Sequence, residues 1–170
     1  MHKAIWLDTI NQEKIIQYKK LTGGVSSEVY YVKTNKNNYC IKRSLKRLLV
    51  KKKWIANTNR IKFEYLWLKH CQNILKRNIP NTYEFNNKKK YIVMEYLKTS
   101  QYKTLKQLYF NKIININTIR SISKHLYKIH SKSSNYKTKK TFEGNYKNFY
   151  DLRLDPYFNE VGRVYPKYKG

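Results

Sequence analysis

Two glycines, two serines and a lysine that ends a strand lie close together in the first part of the chain. The glycines and serines belong to the run Thr22-Gly23-Gly24-Val25-Ser26-Ser27-Glu28, between two predicted strands, and the lysine is Lys42. Glycine tolerates positive φ and carries no side chain, so backbone N–H groups and the Ser26 and Ser27 hydroxyls could reach phosphate oxygens. The ammonium group of Lys42 would add positive charge. This pattern is typical of one half of a nucleotide-binding site, the half that contacts the phosphates.

Carboxylates are the second requirement for phosphoryl transfer, because they orient the attacking hydroxyl and hold magnesium. The chain has 10 acidic residues among 170. None of them follows a histidine by two positions, no two aspartates have the spacing of a metal-binding pair, and no Asp-Phe-Gly occurs. The sequence therefore predicts a module that holds a nucleotide but lacks the groups that transfer its phosphate.

The strong positive charge has two interpretations. The formal net charge is +27, and 30 of the 37 basic residues are lysine. Lysine has A/T-rich codons, so a genome rich in A/T produces such a chain without selection for binding to polyanions. A protein that recognises nucleic acid usually has arginine at its contacts instead. The lysine runs 51–53, 88–90 and 139–140 also fall in predicted turns and linkers. We therefore do not expect nucleic acid as the partner, and keep single-strand binding as a third alternative.

Length and hydrophobicity favour a folded protein. A chain of 170 residues fits one domain, or a small domain and the beginning of a second, and its hydrophobic content of 41% lies above the range of disordered chains. Cys40 and Cys71 show neither metal-ligand spacing nor a disulfide framework, so both are predicted to be buried free thiols. No apolar run is long enough for a signal peptide or a membrane span. The expected location is the cytoplasm, without a membrane partner.

Hydrophobic periodicity predicts an α+β fold. We expect strands at residues 18–21, 29–33, 39–42, 82–86 and 91–97, and a short amphipathic segment before the first of them. Residues 1–97 would then form one lobe, residues 98–104 a hinge, and residues 105–170 the beginning of a helical lobe. Helices are expected at residues 105–109 and from near Asn117 to His130, followed by a mobile connection over residues 131–148.

A further helix is predicted from Arg60 to Cys71, after the polar run 57–59, which could cap it. Its core-facing side carries the acidic residue Glu64 among apolar neighbours, which are Ile61, Tyr65, Trp67, Leu68 and Cys71. A carboxylate on that side needs a partner. Lys42 is one candidate, and Arg60, one turn earlier, is the alternative as an ordinary i,i+4 pair.

The end of the last strand offers a second contact for a nucleotide. The backbone of Met94, Glu95, Tyr96 and Leu97 could hydrogen-bond a purine edge, although an ordinary strand end explains these residues equally well.

Taken in order, these segments resemble the aminoglycoside phosphotransferase and choline kinase family of small-molecule kinases, in particular its methylthioribose-kinase-like members. The resemblance is carried by residues 21–30, 40–42, 60–69, 92–97, 126–130 and 152–157. It implies a protein-kinase-like small lobe, with a five-stranded antiparallel sheet and one helix, followed by a hinge and the first helices of a large lobe.

The same resemblance implies roles for individual residues. Lys42 would contact the α and β phosphates of ATP, and Glu64 would hold Lys42. The phosphate-covering loop would be formed by Gly23, Gly24, Val25, Ser26 and Ser27. The adenine pocket would be lined by Met94, Glu95, Tyr96 and Leu97.

The family's His-Gly-Asp segment and its later metal-binding aspartate would follow the Pro156-Tyr157 region, and this chain ends before either of them. The resemblance thus implies the N-terminal portion of an ATP-dependent kinase that phosphorylates a hydroxyl of a small molecule, inactive as these 170 residues. Magnesium is expected only where the missing lobe is supplied. The alternative is a non-catalytic nucleotide-binding pseudokinase or partner subunit, which would associate through Leu154, Phe158 and Val161 of the unfinished lobe.

Overall fold

The computed structural model describes residues 9–22, 24–113 and 115–168 of the chain. Within them, six strands form one antiparallel sheet in the order β1-β2-β3-β4-β6-β5. The strands are β1 (Thr9–Ile10), β2 (Glu13–Leu21), β3 (Ser27–Thr34), β4 (Asn38–Ser44), β5 (Thr82–Asn86) and β6 (Tyr91–Glu95). With the helices described below, the architecture is α+β, as the periodicity predicts.

The sheet differs from the prediction at its beginning, where it has six strands rather than five. Strand β2 already starts at Glu13, and β1 pairs with it across a two-residue turn at Asn11 and Gln12, both of which have positive φ. Most of β2 is exposed, so it lacks the alternating pattern that reveals a half-buried strand. Backbone hydrogen bonds to β3 hold this strand in the sheet, and the amino-acid composition of a segment does not reveal such bonds.

Side chains on the two faces of the sheet enter different environments. One face carries an apolar cluster formed by Ile10, Tyr30, Val32, Tyr39, Ile41, Tyr91 and Val93. The other face carries Lys42, which is aligned with Val29 of β3 and Ile92 of β6. Helix α1 (Arg60–Leu75) contacts β4, β5 and β6. Because side chains alternate along a strand, Lys42 lies on the opposite face from Ile41.

Helix α1 begins at Arg60, as predicted, and runs one turn beyond Cys71 to Leu75. The residue before it, Asn59, makes no capping hydrogen bond with its side chain, so the expected cap is wrong. Instead, the backbone N–H of Asn59 donates to the side chain of Asn57 at 2.9 Å. The polar run therefore forms a local turn that precedes the helix.

The core-facing side of α1 is only partly as predicted. Ile61 and Cys71 are buried, and Tyr65 stacks on Phe85 of β5 with ring centroids 4.9 Å apart. Trp67, however, is 39% exposed, so its expected place in the core is wrong. The helical wheel assigned the Trp67 side chain to the core because it is apolar. Large aromatic side chains also line open cavities, however.

The C-terminal part of the described chain is helical. Residues 96–104 connect β6 to it without helix or strand. The helices are α2 (Leu105–Phe110), α3 (Ile116–Ser133), α4 (Tyr136–Thr141), α5 (Tyr146–Phe149), a π-helical segment (Tyr150–Asn159) and α6 (Glu160–Val164). Short 3₁₀ turns occupy Lys76–Asn78 and Pro166–Tyr168. None of the described helices is long and apolar enough to cross a membrane.

Helices α4 and α5 lie where the sequence predicts a mobile connection over residues 131–148. Asn135 caps α4 by accepting a hydrogen bond from the backbone N–H of Thr138 at 2.9 Å. Asn115, rather than Asn117, caps α3 in the same way. Asparagine favours both loops and N-caps, so a polar, asparagine-containing stretch does not distinguish a linker from a series of short capped helices.

Candidate functional site

A cavity of about 780 Å³ lies between the sheet, α1 and the C-terminal helices. The sheet side of its lining is formed by Ser26, Ser27, Lys42 and Ser44. Glu64 and Trp67 reach it from α1, and the opposite wall comes from residues 133–153. Four of the predicted site residues thus meet in one place, namely Ser26, Ser27, Lys42 and Glu64.

Lys42 and Glu64 form an ion pair in this cavity, with Nζ 2.6 Å from Oε1. Lys42 lies inside β4, which continues to Ser44, so the prediction that this lysine ends its strand is wrong; β4 has neighbours on both sides. Glu64 lies in the second turn of α1. The Lys42 and Glu64 side chains are 29% and 36% exposed, so a ligand can reach both. The predicted pairing is confirmed, and the alternative pair of Glu64 with Arg60 is not formed.

Arg60 has a different function, which is to hold the loop before β3. Its guanidinium donates to the backbone carbonyls of Ser26, Leu45 (2.8 Å) and Asn57 (2.7 Å). The Leu45 N–H in turn donates to the Ser26 carbonyl at 3.1 Å. Burial lowers the pKa of Arg60, with the nearby Glu64 acting in the opposite direction. A planar guanidinium can bind several carbonyls at once, so Arg60 fixes where the serine loop meets the helix.

The serine hydroxyls are held in place by the strand register. Ser27 and Ser44 are both buried and stand opposite each other on β3 and β4, on the Lys42 face of the sheet. The hydroxyl of Ser44 donates to the carbonyl of Thr58 at 2.8 Å. Ser26 is half-buried and lines the cavity. Hydroxyls therefore line the same cavity as the Lys42 ammonium, where they could bind anionic oxygens.

The rest of the predicted phosphate loop is less well supported. Gly23 lies outside the described residues. Gly24 does not have positive φ, and a Cβ there would lie 3.4 Å from the Ser27 carbonyl oxygen, an ordinary contact. The backbone conformation at position 24 therefore does not require glycine. Val25 is exposed, and neither it nor Gly24 lines the cavity.

The four residues of the predicted adenine pocket, Met94, Glu95, Tyr96 and Leu97, do not line this cavity. The Glu95 backbone N–H donates to the Asn81 carbonyl at 2.8 Å, and its carboxylate accepts from the Asn81 N–H at 3.0 Å. The Tyr96 ring packs on Tyr31 with centroids 4.5 Å apart. Their part in binding a purine stays a prediction.

The opposite wall was not foreseen from the sequence. Phe142 packs against Trp67 and Phe63 of α1, with ring centroids 5.4 and 6.5 Å away. Lys139 of α4 and Arg153 of the π-helical segment complete a basic and aromatic lining. Phe142 and Lys139 lie in the stretch that was predicted to be a linker, and Arg153 lies in the apolar stretch that follows it. The contacts join positions far apart in the chain, so no local signal marks these residues as part of a cavity.

Two contacts fasten this wall to the loop between β4 and α1. The indole N–H of Trp54 donates to the backbone carbonyl of Asp151 at 3.1 Å. Lys52 forms an ion pair with Glu160. Together they connect residues 45–59 to the C-terminal helices beside the cavity.

Magnesium does not fit the donors of this cavity. Mg²⁺ requires oxygen ligands, usually with one or two carboxylates. Glu64 is the sole carboxylate among the described lining residues, and Lys42 already occupies it. No group of three His, Cys, Asp or Glu side chains within the described ranges could hold a metal ion. We therefore derive no step through a metal.

Cys40 precedes Lys42 by two positions on the same strand face, but it is not a nucleophile. Burial raises the pKa of its thiol to about 11, so the thiol stays protonated at neutral pH. Cys71 is buried, as predicted, whereas Cys40 is partly accessible. Both are free thiols.

No protein-family model matches the chain, and no curated protein matches it either. The resemblance to small-molecule kinases therefore stays a prediction that depends on the residues of the chain itself.

Proposed function

We propose that the chain is a nucleotide-binding module with a protein-kinase-like small lobe, the N-terminal portion of an ATP-dependent small-molecule phosphotransferase. The observation that carries this proposal is the Lys42–Glu64 ion pair of 2.6 Å, beside Ser26 and Ser27 in a cavity of about 780 Å³. Kinases use such a strand lysine, paired with a helix glutamate, to hold nucleotide phosphates.

The order of elements supports the fold part of the proposal. Apart from the short β1, five strands follow one another in the order β2-β3-β4-β6-β5, and α1 lies between β4 and β5 in the chain. This order supports the five-stranded sheet with one helix that the resemblance implies, with β1 as an additional edge strand. The lysine stands on the third of these strands and the glutamate on the helix that follows it.

Each residue of the ion pair has a separate part in binding. An ammonium group has three N–H donors, so Lys42 can bind Glu64 and still donate to phosphate oxygens. Glu64 limits the rotamers of the lysine and keeps its charge directed into the cavity. Ser26 and Ser27 add hydroxyl donors, while Arg60 holds the loop that carries them.

The proposal assigns binding to this cavity and does not assign phosphoryl transfer to it. Transfer requires a carboxylate that orients the attacking hydroxyl. Glu64 does not serve, because its carboxylate is occupied by Lys42. Asp155 and Glu160 of the C-terminal helices bind Arg163 and lie outside the described lining of the cavity.

Titration of the purified chain with ATP tests the proposal, with Trp67 at the cavity as a fluorescent reporter. We expect saturable binding, and an affinity at least about tenfold weaker in Lys42→Met, since a charge-assisted phosphate contact is lost. Lys33→Met is the matched control, because Lys33 is an exposed strand lysine outside the cavity lining. Absence of binding in the wild type, or equal affinity in wild type and Lys42→Met, overturns the proposal.

Exposed apolar side chains favour a second candidate, a non-catalytic subunit that binds a partner. Phe158 is 69% exposed and Val161 is also exposed, whereas Leu154 is half-buried. Exposed apolar patches of this kind mark partner surfaces. Light scattering of the purified chain tests this candidate, since a stable monomer at high concentration counts against self-association.

A further inference from the structure

Cationic side chains outnumber carboxylates in the cavity. Lys42, Arg60, Lys139 and Arg153 line it, against Glu64 as the one acidic residue among the described lining. The charges do not all serve the same purpose. Lys42 is paired with Glu64, and Arg60 is held by backbone carbonyls. The remaining two lie on the opposite wall and add to the excess of positive charge.

Lys139 and Arg153 are available to a ligand. Within the described residues, the Lys139 ammonium makes no hydrogen bond or ion pair. The Arg153 guanidinium donates to the carbonyl of its neighbour Leu152 at 2.9 Å and meets no carboxylate in the part of the chain described. Both side chains are exposed and therefore flexible enough to close on an anion.

Three acidic residues of the C-terminal helices are engaged with other cations. Asp155 lies 2.8 Å from Arg163, and Asp151 lies 3.3 Å from Lys147. Glu160 binds both Lys52 and Arg163. These three acids are outside the described lining of the cavity, whereas Lys139 and Arg153, which have no carboxylate partner among the described residues, line it.

We propose that this site binds the triphosphate as a free anion, without magnesium, and that Lys139 and Arg153 supply the positive charge that the metal would supply elsewhere. The inference rests on the proposed nucleotide site and goes beyond it. Magnesium neutralises part of the phosphate charge, so its complex is attracted less strongly to a cationic cavity. Glu64 is the one carboxylate in the described lining and is already paired with Lys42, so the cavity offers the metal no free carboxylate in exchange.

Calorimetric titration of the chain with ATP, once with excess EDTA and once with excess magnesium chloride, tests the inference. We expect affinity with EDTA to be equal to or higher than affinity with magnesium, and to fall steeply as salt increases. Lys139→Ala and Arg153→Ala should each weaken binding with EDTA about fivefold, because each removes one partly solvated charge contact. Lys137→Ala, an exposed lysine of the same helix outside the lining, is the matched control. Thermal unfolding of each variant checks that it is folded.

The possible results separate the two proposals. Binding only in the presence of magnesium overturns this inference and leaves the nucleotide site standing. Binding with EDTA that is unchanged in both alanine variants also overturns it, because the opposite wall then contributes nothing. Absence of ATP binding under both conditions overturns the proposed function itself, and the inference with it.

Discussion

Arg60, the first residue of α1, donates a hydrogen bond to the backbone carbonyl of Ser26 in the loop before β3. The same guanidinium binds the carbonyls of Leu45 and Asn57. One side chain thus joins three segments that meet at the cavity. The loop that carries the serine hydroxyls is positioned by the helix that carries Glu64.

Arg60→Lys should therefore be destabilising despite the retained charge. An ammonium cannot reproduce the fork of the guanidinium, so we expect the free energy of unfolding to fall by about 1–3 kcal/mol as hydrogen bonds to the partly buried carbonyls are lost. Urea unfolding of the variant measures the loss. Hydrogen exchange should also become faster at Ser26 and Ser27. Unchanged stability and exchange would show that the loop is held without Arg60.

Glu64→Gln should affect nucleotide binding more than folding. The ion pair is about one-third exposed, so its contribution to the free energy of unfolding is at most about 1 kcal/mol. We expect ATP affinity to fall several-fold, because Lys42 loses the acceptor that directs it. A double-mutant cycle with Lys42→Met measures the coupling. Strictly additive effects on affinity would contradict a joint role for the two residues.

Stability should decrease in alkaline solution, partly because of Cys40. Burial raises the pKa of Cys40 from 9.0 to about 11, so the unfolded thiol releases its proton at a lower pH than the folded one. The folded state therefore loses stability as pH rises from 9 to 11, by about 1–2 kcal/mol from this group. Urea unfolding across that window measures the slope, and Cys40→Ala should reduce it. Tyr91, whose pKa burial also raises, contributes in the same direction.

The carboxylate of Glu13 should make the protein less stable in acid, whereas Cys40 makes it less stable in alkali. The Thr34 hydroxyl donates to it at 2.5 Å and the Asn37 amide at 2.8 Å, and these bonds, with that from Thr34 first, lower the pKa of Glu13. Its contribution to the free energy of unfolding is present at pH values above the pKa of the unfolded carboxyl. That contribution is lost as the pH falls through the lower pKa of the folded carboxyl. NMR titration of the Glu13 carboxyl carbon should show the low pKa, and Thr34→Val should raise it. An identical titration in the variant would remove Thr34 as the cause.

Sequence reasoning found the parts of the site that depend on local pattern. The helical wheel put Glu64 on the sheet-facing side of α1, and a strand-ending lysine was its natural partner. It missed Phe142 and Lys139, because their segment is polar and its short helices are defined by caps such as Asn135. It also missed Arg153, because nothing in the surrounding stretch shows that this residue lines a cavity. Contacts between distant positions decide that wall, and no local period encodes them.

The beginning of the sheet is a second place where local sequence patterns did not reveal the structure. Strand β2 exposes most of its side chains, so its identity comes from pairing with β3 rather than from burial. The turn at Asn11 and Gln12 lacks the Asn-Gly pair that usually signals a tight hairpin. Five strands were predicted because hydrophobic alternation was the criterion, and the sixth, β1, has only two residues, which are too few to show a period.

The contacts of Trp54 with Asp151 and of Lys52 with Glu160 join the C-terminal helices to the loop between β4 and α1. The same helices are joined to α1, since Phe142 packs on Trp67 and the Ser133 hydroxyl lies 2.8 Å from the His70 ring. None of these contacts involves a strand. Two separate sets of interactions therefore determine the two sides of the cavity, so a substitution on the C-terminal side can change the size of the cavity while the pairing of β4, which positions Lys42, is kept.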